Sequence, residues 1–107
     1  MELFSHASVF PPNVMEDYRR WGRAFWHVIH LSAQEYAQCA FSGENKQRES
    51  RFLYKDIYNQ MPCPECQKHY MEYLEQHPPP LDRPAEMPEW AYKLHNNVND
   101  YKKKQQN

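Results

Sequence analysis

Glycine occurs at only two of the 107 positions, Gly22 and Gly43, and this scarcity narrows the folds that the chain can adopt. Tight β-hairpin turns usually need glycine at backbone positions with positive φ, so a β-rich fold with several such turns is not expected. Glycine-rich phosphate-binding loops are excluded for the same reason. The remaining option is a fold of helices joined by polar or proline-rich segments, and the spacing of the apolar residues tests it.

Helical spacing recurs in four segments, at about 15–36, roughly 45–60, from MPCPEC to HPPP at 61–80, and from between Pro84 and Glu89 onward. The last segment has the most regular apolar series, which consists of Met87, Ala91, Leu94, Val98 and Tyr101. No segment alternates with period two for long enough to indicate a strand. We therefore expect an all-α fold, a small four-helix bundle, with a lead-in over residues 1–14 and one domain over residues 15–107.

The composition is that of a globular protein. Hydrophobic residues form 40% of the chain and charged residues 25%, with a formal net charge of −1. Apart from the terminal YKKKQQN there is no basic patch of the kind that binds nucleic acid. No stretch approaches the roughly 20 apolar residues of a membrane span, and the N-terminus lacks a secretory signal pattern. We expect an intracellular protein that binds neither nucleic acid nor membrane and lies where thiols are normally reduced.

The stretch MPCPEC places Cys63 and Cys66 at the predicted start of the third helix. Proline suits the first turn of a helix, so Pro64 supports that boundary. Unpaired amides and the helix dipole at such an end favour thiolate over thiol and speed thiol–disulfide exchange. The spacing therefore favours a redox dithiol.

Two other readings of the CxxC stay open. A zinc-stabilised helical interaction module would need two more ligands beside Cys63 and Cys66, and the third cysteine, Cys39, stands alone. Nitrogen ligands could come from three histidines whose spacing matches no familiar zinc finger: His69, His77 and His95. A structural or inert pair of thiols is the other reading.

Polar residues interrupt the fourth helix in the run LHNNVND at 94–100. Asparagine is a poor helix former, and such a violation is expected where a binding site chose the residue. His95 and Asn99 share one face, and Asn96 lies three residues from Asn99, so together they could hydrogen-bond a polar ring or a ribose. A solvated asparagine face would explain the run equally well.

A second line of residues, Gly22, Trp26 and His30, follows the first helix at four-residue spacing. Gly22 would allow close approach to the helix backbone, Trp26 offers a stacking surface, and His30 offers a hydrogen-bonding group one turn further on. A tryptophan in the core beside a hydrogen-bonded histidine is the simpler alternative.

Three motifs occur here in the order found in one family. WGRAFWHVIH on the first helix, PCPEC opening the third and HNNVN on the fourth together resemble the Erv/ALR flavin-dependent sulfhydryl oxidases, over roughly residues 20–104. The compact form, with QKHY after the CxxC, is most similar to members encoded by large DNA viruses. A viral chain would work in the host cytoplasm or the virion, and the mitochondrial intermembrane space is also compatible.

The resemblance implies that FAD is held at the mouth of the bundle and that electrons pass from substrate thiols through the cysteines to FAD and on to oxygen, giving hydrogen peroxide. Cys63 would exchange with substrate, and Cys66 would lie next to the flavin. The implied cofactor-binding residues are Gly22, Arg23, Trp26, His30, Tyr36, Cys66, Trp90, His95, Asn96, Val98, Asn99 and Lys104. The resemblance implies no metal ligand.

The resemblance also bears on partners. Many relatives carry a second cysteine pair that shuttles electrons, but here only Cys39 remains. Protein thiol substrates, or a separate dithiol carrier, would therefore have to reach Cys63 directly. A homodimer through the first two helices is implied as well. A dithiol carrier without flavin remains the second alternative to the oxidase, after the zinc module.

Overall fold

The computed structural model describes the backbone of residues 18–61 and 63–106, with side chains for residues 22–61 and 63–100. The predicted lead-in at 1–14 and the first residues of the first predicted helix lie outside those ranges. Four helices make up the described chain, and we label them α1 to α4. They confirm the predicted all-α four-helix fold, and no strand occurs among the described residues.

Helix α1 comprises Tyr18–Gln38. Its buried side chains recur at helical spacing and face the interior: Phe25, Trp26, Val28, Ile29, Ala33 and Tyr36. The phenol of Tyr36 donates a hydrogen bond to the carbonyl of Leu81 at 2.6 Å, which ties the end of α1 to the loop before α4.

Helix α2 begins at Gly43, where the Ser42 hydroxyl accepts a hydrogen bond from the amide of Asn45 and so caps the first turn. It runs through Gly43–Arg51, a π-helical segment Phe52–Asp56 and a last α-helical turn Ile57–Gln60. The predicted start near residue 45 was two residues late. Leu53 and Ile57 are buried, whereas Phe52 and Tyr58 are only half-buried.

The π segment explains how α2 keeps one face on the core. Its buried positions are four residues apart, at Glu49, Leu53, Ile57 and then Met61. In a regular α-helix with 3.6 residues per turn, each four-residue step drifts by roughly 40° around the axis. A wider π turn absorbs part of that drift, so the stripe stays on the core up to Met61.

Helix α3 comprises Pro64–Gln76 and α4 comprises Met87–Gln106, preceded by a 3₁₀ turn at Pro84–Glu86. The proline run at 78–80 ends α3, because proline lacks the amide that would continue the helix. The indole of Trp90 donates to the carbonyl of His77 at 2.8 Å and joins the end of α3 to α4. The predicted end of α3 at the proline run and the predicted start of α4 between Pro84 and Glu89 are both confirmed.

The interior lies between α1, α2, α3 and α4, where most of the buried side chains form one cluster. The fully buried phenol of Tyr70 on α3 donates to the carbonyl of Leu53 at 2.5 Å. Of the predicted α4 series, Met87, Ala91, Leu94 and Val98 are buried, and the side chain of Tyr101 lies outside the described residues. None of the helices within 18–61 and 63–106 has the length and apolar character that crossing a bilayer would require.

Candidate functional site

The CxxC lies at the N-terminus of α3, where Cys63 is the capping residue. Its backbone is extended, with φ −120° and ψ 120°, and its sulfur accepts a hydrogen bond from the amide of Cys66 at 3.3 Å. The first helical position is Pro64, whose missing amide costs nothing there. The local sequence therefore places one sulfur of the pair directly at the positive end of the helix dipole.

The two cysteines differ in exposure. Cys63 is half-buried, whereas Cys66 is buried with 7% of its surface exposed. The side chain of Gln67 donates to the carbonyl of Tyr58 at 2.9 Å, which fastens the first turn of α3 to the end of α2. An attacking thiol from solvent can therefore approach Cys63, while Cys66 faces the protein interior.

Aromatic and imidazole rings from α1 and α4 form a second group, which we call the ring cluster: Trp26, His30, Tyr92 and His95. The rings of Trp26 and His95 are stacked, with centroids 4.2 Å apart and planes inclined by 14°. Nε2 of His30 lies 2.9 Å from Nδ1 of His95. The exposed ring of Tyr92 lies 6.5 Å from His30. The predicted lines on the first and fourth helices thus meet across one interface.

Burial favours neutral imidazoles in the ring cluster. Desolvation lowers the pKa of His30 from its usual 6.5. Desolvation also lowers the pKa of His95, and the nearby charge of protonated His30 lowers it further. In the neutral pair, one nitrogen donates its hydrogen and the other accepts it, so the hydrogen bond fixes both ring orientations.

The remaining predicted cofactor residues lie in different surroundings. Near the ring cluster on α1, Gly22 is buried and Arg23 exposed; on α4, Asn96 is exposed and Asn99 half-buried. Val98 belongs to the core. Lys104 lies on the last turns of α4, and its side chain is outside the described set.

Two predicted residues are not brought into the ring cluster. Trp90 lies against Tyr73, with ring centroids 6.5 Å apart, and its indole hydrogen bond goes to His77. Tyr36 is held by Leu81 near the end of α1, and burial raises the pKa of its phenol. Their roles toward a cofactor stay predictions.

The chemistry of the ring cluster suits FAD. The stacked pair of Trp26 and His95 offers an aromatic wall at the half-buried ring of His95, and the amides of Asn96 and Asn99 lie on the same stretch of helix. By contrast, no three His, Cys, Asp or Glu side chains of the described residues lie close enough together to bind a metal ion. His69, which the zinc alternative would need, instead lies 2.8 Å from Asn97 through its Nε2.

Comparison with known proteins assigns the chain to a family. The model of the Erv1 / Alr family matches residues 23–107. The chain belongs to the Erv1/Alr family. The matched range contains the CxxC, the ring cluster and the whole HNNVN box, and this confirms the resemblance on which the site was predicted. No solved structure gave a significant match.

Several Erv1/Alr relatives are similar over most of this chain. The FAD-linked sulfhydryl oxidase of African swine fever virus is 29% identical over 79 residues, which cover 74% of this chain and 65% of the relative. Rice FAD-linked sulfhydryl oxidase ERV1 is 32% identical over 73% of this chain, and yeast FAD-linked sulfhydryl oxidase ERV2 is 29% identical over 78%. The chain spans 39% of the rice relative and 41% of the yeast relative.

Sequence reasoning missed two members of the site. Tyr92 stands one turn before Asn96 on α4 and contributes an exposed ring beside His30, and the four-residue spacing could have indicated it. Asn97 was seen only as part of a polar run, and its partner His69 only as a possible zinc ligand. Nothing in local spacing pairs two residues 28 positions apart.

Proposed function

We propose that this chain is an FAD-dependent thiol oxidase that forms disulfides in protein substrates and passes the electrons to oxygen, giving hydrogen peroxide. One observation carries the proposal: the fold that puts Cys63 and Cys66 at the start of α3 also joins α1 and α4 in the ring cluster. The names of the viral, plant and yeast relatives, all FAD-linked sulfhydryl oxidases, support it.

The residues that would hold FAD are those of the ring cluster and its neighbours on α1 and α4. Trp26 supports His95 through their stacked rings, His30 fixes the orientation of His95, and Asn96 and Asn99 supply amide groups. When bound, FAD supplies the ability to take an electron pair from a dithiol and deliver it to oxygen. The protein positions the thiols and excludes water around Cys66.

Substrate thiols are oxidised in two thiol–disulfide exchange steps. A substrate thiolate attacks the Cys63 sulfur of a Cys63–Cys66 disulfide, the S–S bond breaks, and Cys66 leaves as a thiolate. A second substrate thiolate then attacks the substrate sulfur of that mixed disulfide, the bond to Cys63 breaks, and Cys63 leaves as a thiolate while the substrate disulfide is released. The pair Cys63 and Cys66 then holds the two electrons that the substrate lost. The greater exposure of Cys63 supports its role as the residue that meets substrate.

The exposure of Cys63 also supports the proposed partners. Protein thiols or a separate dithiol carrier meet Cys63 directly, and oxygen is the final acceptor. We place this activity inside cells, in the host cytoplasm or the virion if the chain is viral. A homodimer through α1 and α2 is supported by two exposed apolar side chains, Leu31 on α1 at 44% exposure and Phe41 in the loop before α2 at 54%.

Purification separates this proposal from its alternatives. An FAD-dependent oxidase should be yellow, carry equimolar FAD, and consume oxygen with dithiothreitol while forming hydrogen peroxide. A colourless protein with equimolar zinc would overturn the proposal in favour of the interaction module. A colourless protein that lacks zinc but accepts electrons at its CxxC would overturn it in favour of a dithiol carrier.

A further inference from the structure

A hydrogen bond crosses from the CxxC helix to the HNNVN box. Nε2 of His69 on α3 lies 2.8 Å from Oδ1 of Asn97 on α4. Because a carbonyl oxygen only accepts, Nε2 of His69 carries the hydrogen and donates it. His69 stands three residues after Cys66, on the same side of α3, and Asn97 stands at the centre of HNNVN.

The bond works together with a second one at the other end of α3. There the indole of Trp90 donates to the carbonyl of His77. His69 precedes His77 by eight residues, which is about 12 Å along a helix of 1.5 Å rise per residue. Pairing His77 with Trp90 and His69 with Asn97 makes α3 and α4 antiparallel. Cys66 therefore lies opposite the turn of α4 that follows Asn97.

The hydrogen bond is not needed to satisfy buried polar groups. The His69–Asn97 contact is exposed, so water could satisfy both side chains if they parted. Asparagine inside α4 also costs helix propensity, and the position would be better filled by leucine or lysine. A residue that lowers helix propensity without being needed in the core is expected to contribute to a functional site.

We infer that the His69–Asn97 hydrogen bond is a positioning contact that holds the Cys66 end of α3 against the cofactor-binding stretch of α4. The assignment rests on the proposed function for its effect on catalysis. The Trp90–His77 bond anchors the far end of α3, and the His69–Asn97 bond sets where the buried sulfur stands relative to the box. Neither His69 nor Asn97 takes part in the thiol exchange itself.

The first test measures the alkylation rate of Cys66 in FAD-free protein, which reports whether Cys66 keeps its buried position. In a Cys39→Ser, Cys63→Ser background, Cys66 is the sole thiol, and serine at position 63 preserves the helix cap. Asn97→Leu removes the acceptor and keeps the branched shape and the number of side-chain heavy atoms, so the buried Cys66 should be alkylated faster in FAD-free protein. Asn97→Asp keeps an acceptor oxygen and should restore the slow rate. Equal alkylation rates in all three proteins would overturn the inference.

The second test reads catalysis in the holoprotein with all three cysteines. Asn97→Leu and His69→Ala should each slow flavin reduction by dithiothreitol under anaerobic conditions by about tenfold or more, since small misplacements of reacting groups are costly. FAD occupancy and melting temperature should stay close to those of the unmodified chain. The double variant should be no slower than either single variant, because the two residues act as one unit.

Lys68→Ala provides a matched control, since Lys68 is the exposed neighbour of His69 on α3. It should leave both the alkylation rate and the reduction rate unchanged. Additive losses in the double variant, or an equal loss in Lys68→Ala, would reject the positioning role. A chain that proves colourless would defeat the proposed oxidase function, while the alkylation test would still decide whether the bond positions Cys66.

Discussion

His30 and His95 share one hydrogen bond across the α1–α4 interface, with Nε2 of the first lying 2.9 Å from Nδ1 of the second. The bond needs a single hydrogen between the two nitrogens, so full protonation of both rings would put two donors face to face. Because Trp26 stacks on His95, the imidazole pair also sets one wall of the proposed cofactor site.

Acid is expected to weaken the fold through this pair. The pKa values of His30 and His95 lie below the ordinary 6.5, so the unfolded chain binds more protons than the folded one in the interval between. The free energy of unfolding should therefore fall as pH drops from 6.5 through the lowered pKa values. Urea denaturation across this range measures it. His95→Ala should flatten the dependence, whereas His27→Ala, an exposed site on α1, should leave it unchanged.

Flavin retention should depend on His95. The variant His95→Ala loses the ring stacked on Trp26 and the hydrogen-bond partner of His30, so we expect the purified protein to carry less FAD per chain. The ratio of flavin absorbance to protein absorbance measures the occupancy. His27→Ala is again the matched control and should retain full occupancy. Equal occupancy in the two variants would argue against a cofactor role for His95.

The relay of electrons should fail when either cysteine of the CxxC is lost. Cys63→Ser and Cys66→Ser are each expected to abolish dithiothreitol-dependent oxygen consumption, because neither can form the redox disulfide. FAD should stay bound, since both changes leave the ring cluster in place. Cys39→Ser should keep full activity in an oxygen electrode. Substantial oxygen consumption by either CxxC variant would refute the relay.

Glu49 should make stability depend on pH in the opposite direction. Oγ of Ser32 lies 2.7 Å from one carboxyl oxygen of Glu49 and 2.9 Å from the other. One hydroxyl hydrogen can serve only one of these contacts, and a proton on the carboxyl group would serve the other. Burial raises the pKa of Glu49 above 4.5, against the hydrogen bond from Ser32, which lowers it, and the charge of Glu35 raises it further.

The direction of the pH dependence due to Glu49 follows from the protons bound by the folded and the unfolded chain. Between 4.5 and the raised pKa the folded chain holds more protons than the unfolded chain, so the Glu49 contribution to stability is lost as pH rises through that interval. The loss amounts to about 1.4 kcal/mol for each unit of pKa difference. Glu49→Gln should remove this part of the slope in denaturation measurements from acid to neutral pH. Glu72→Gln, an exposed control on α3, should keep it.

Local sequence patterns predicted the helices well because each signal acts within a few residues. Pro64 at the first position of α3, the proline run after His77 and the regular series from Met87 to Val98 all act locally, and the structure has boundaries where they require them. The Erv1/Alr motifs added the helix faces on which the candidate site is predicted, since the motifs lie on three separate helices.

Contacts between distant residues could not be predicted in the same way. The stacking of Trp26 on His95 and the bond from His69 to Asn97 depend on how far each helix is shifted along its neighbour, which no local spacing specifies. The π segment in α2 was also missed. It depends on keeping Glu49, Leu53 and Ile57 on one face, a demand made by the assembled core.

The position of Cys63 as the cap of α3 has a consequence for the driving force of electron transfer. The hydrogen bond from the Cys66 amide to the Cys63 sulfur is made by the reduced pair, so the first turn of α3 stabilises that state. A stabilised dithiol raises the reduction potential and makes the disulfide a stronger oxidant of substrate thiols. In the proposed oxidase the same stabilisation would make the dithiol a weaker donor to the next acceptor, so this helix end would favour the first transfer at the expense of the second.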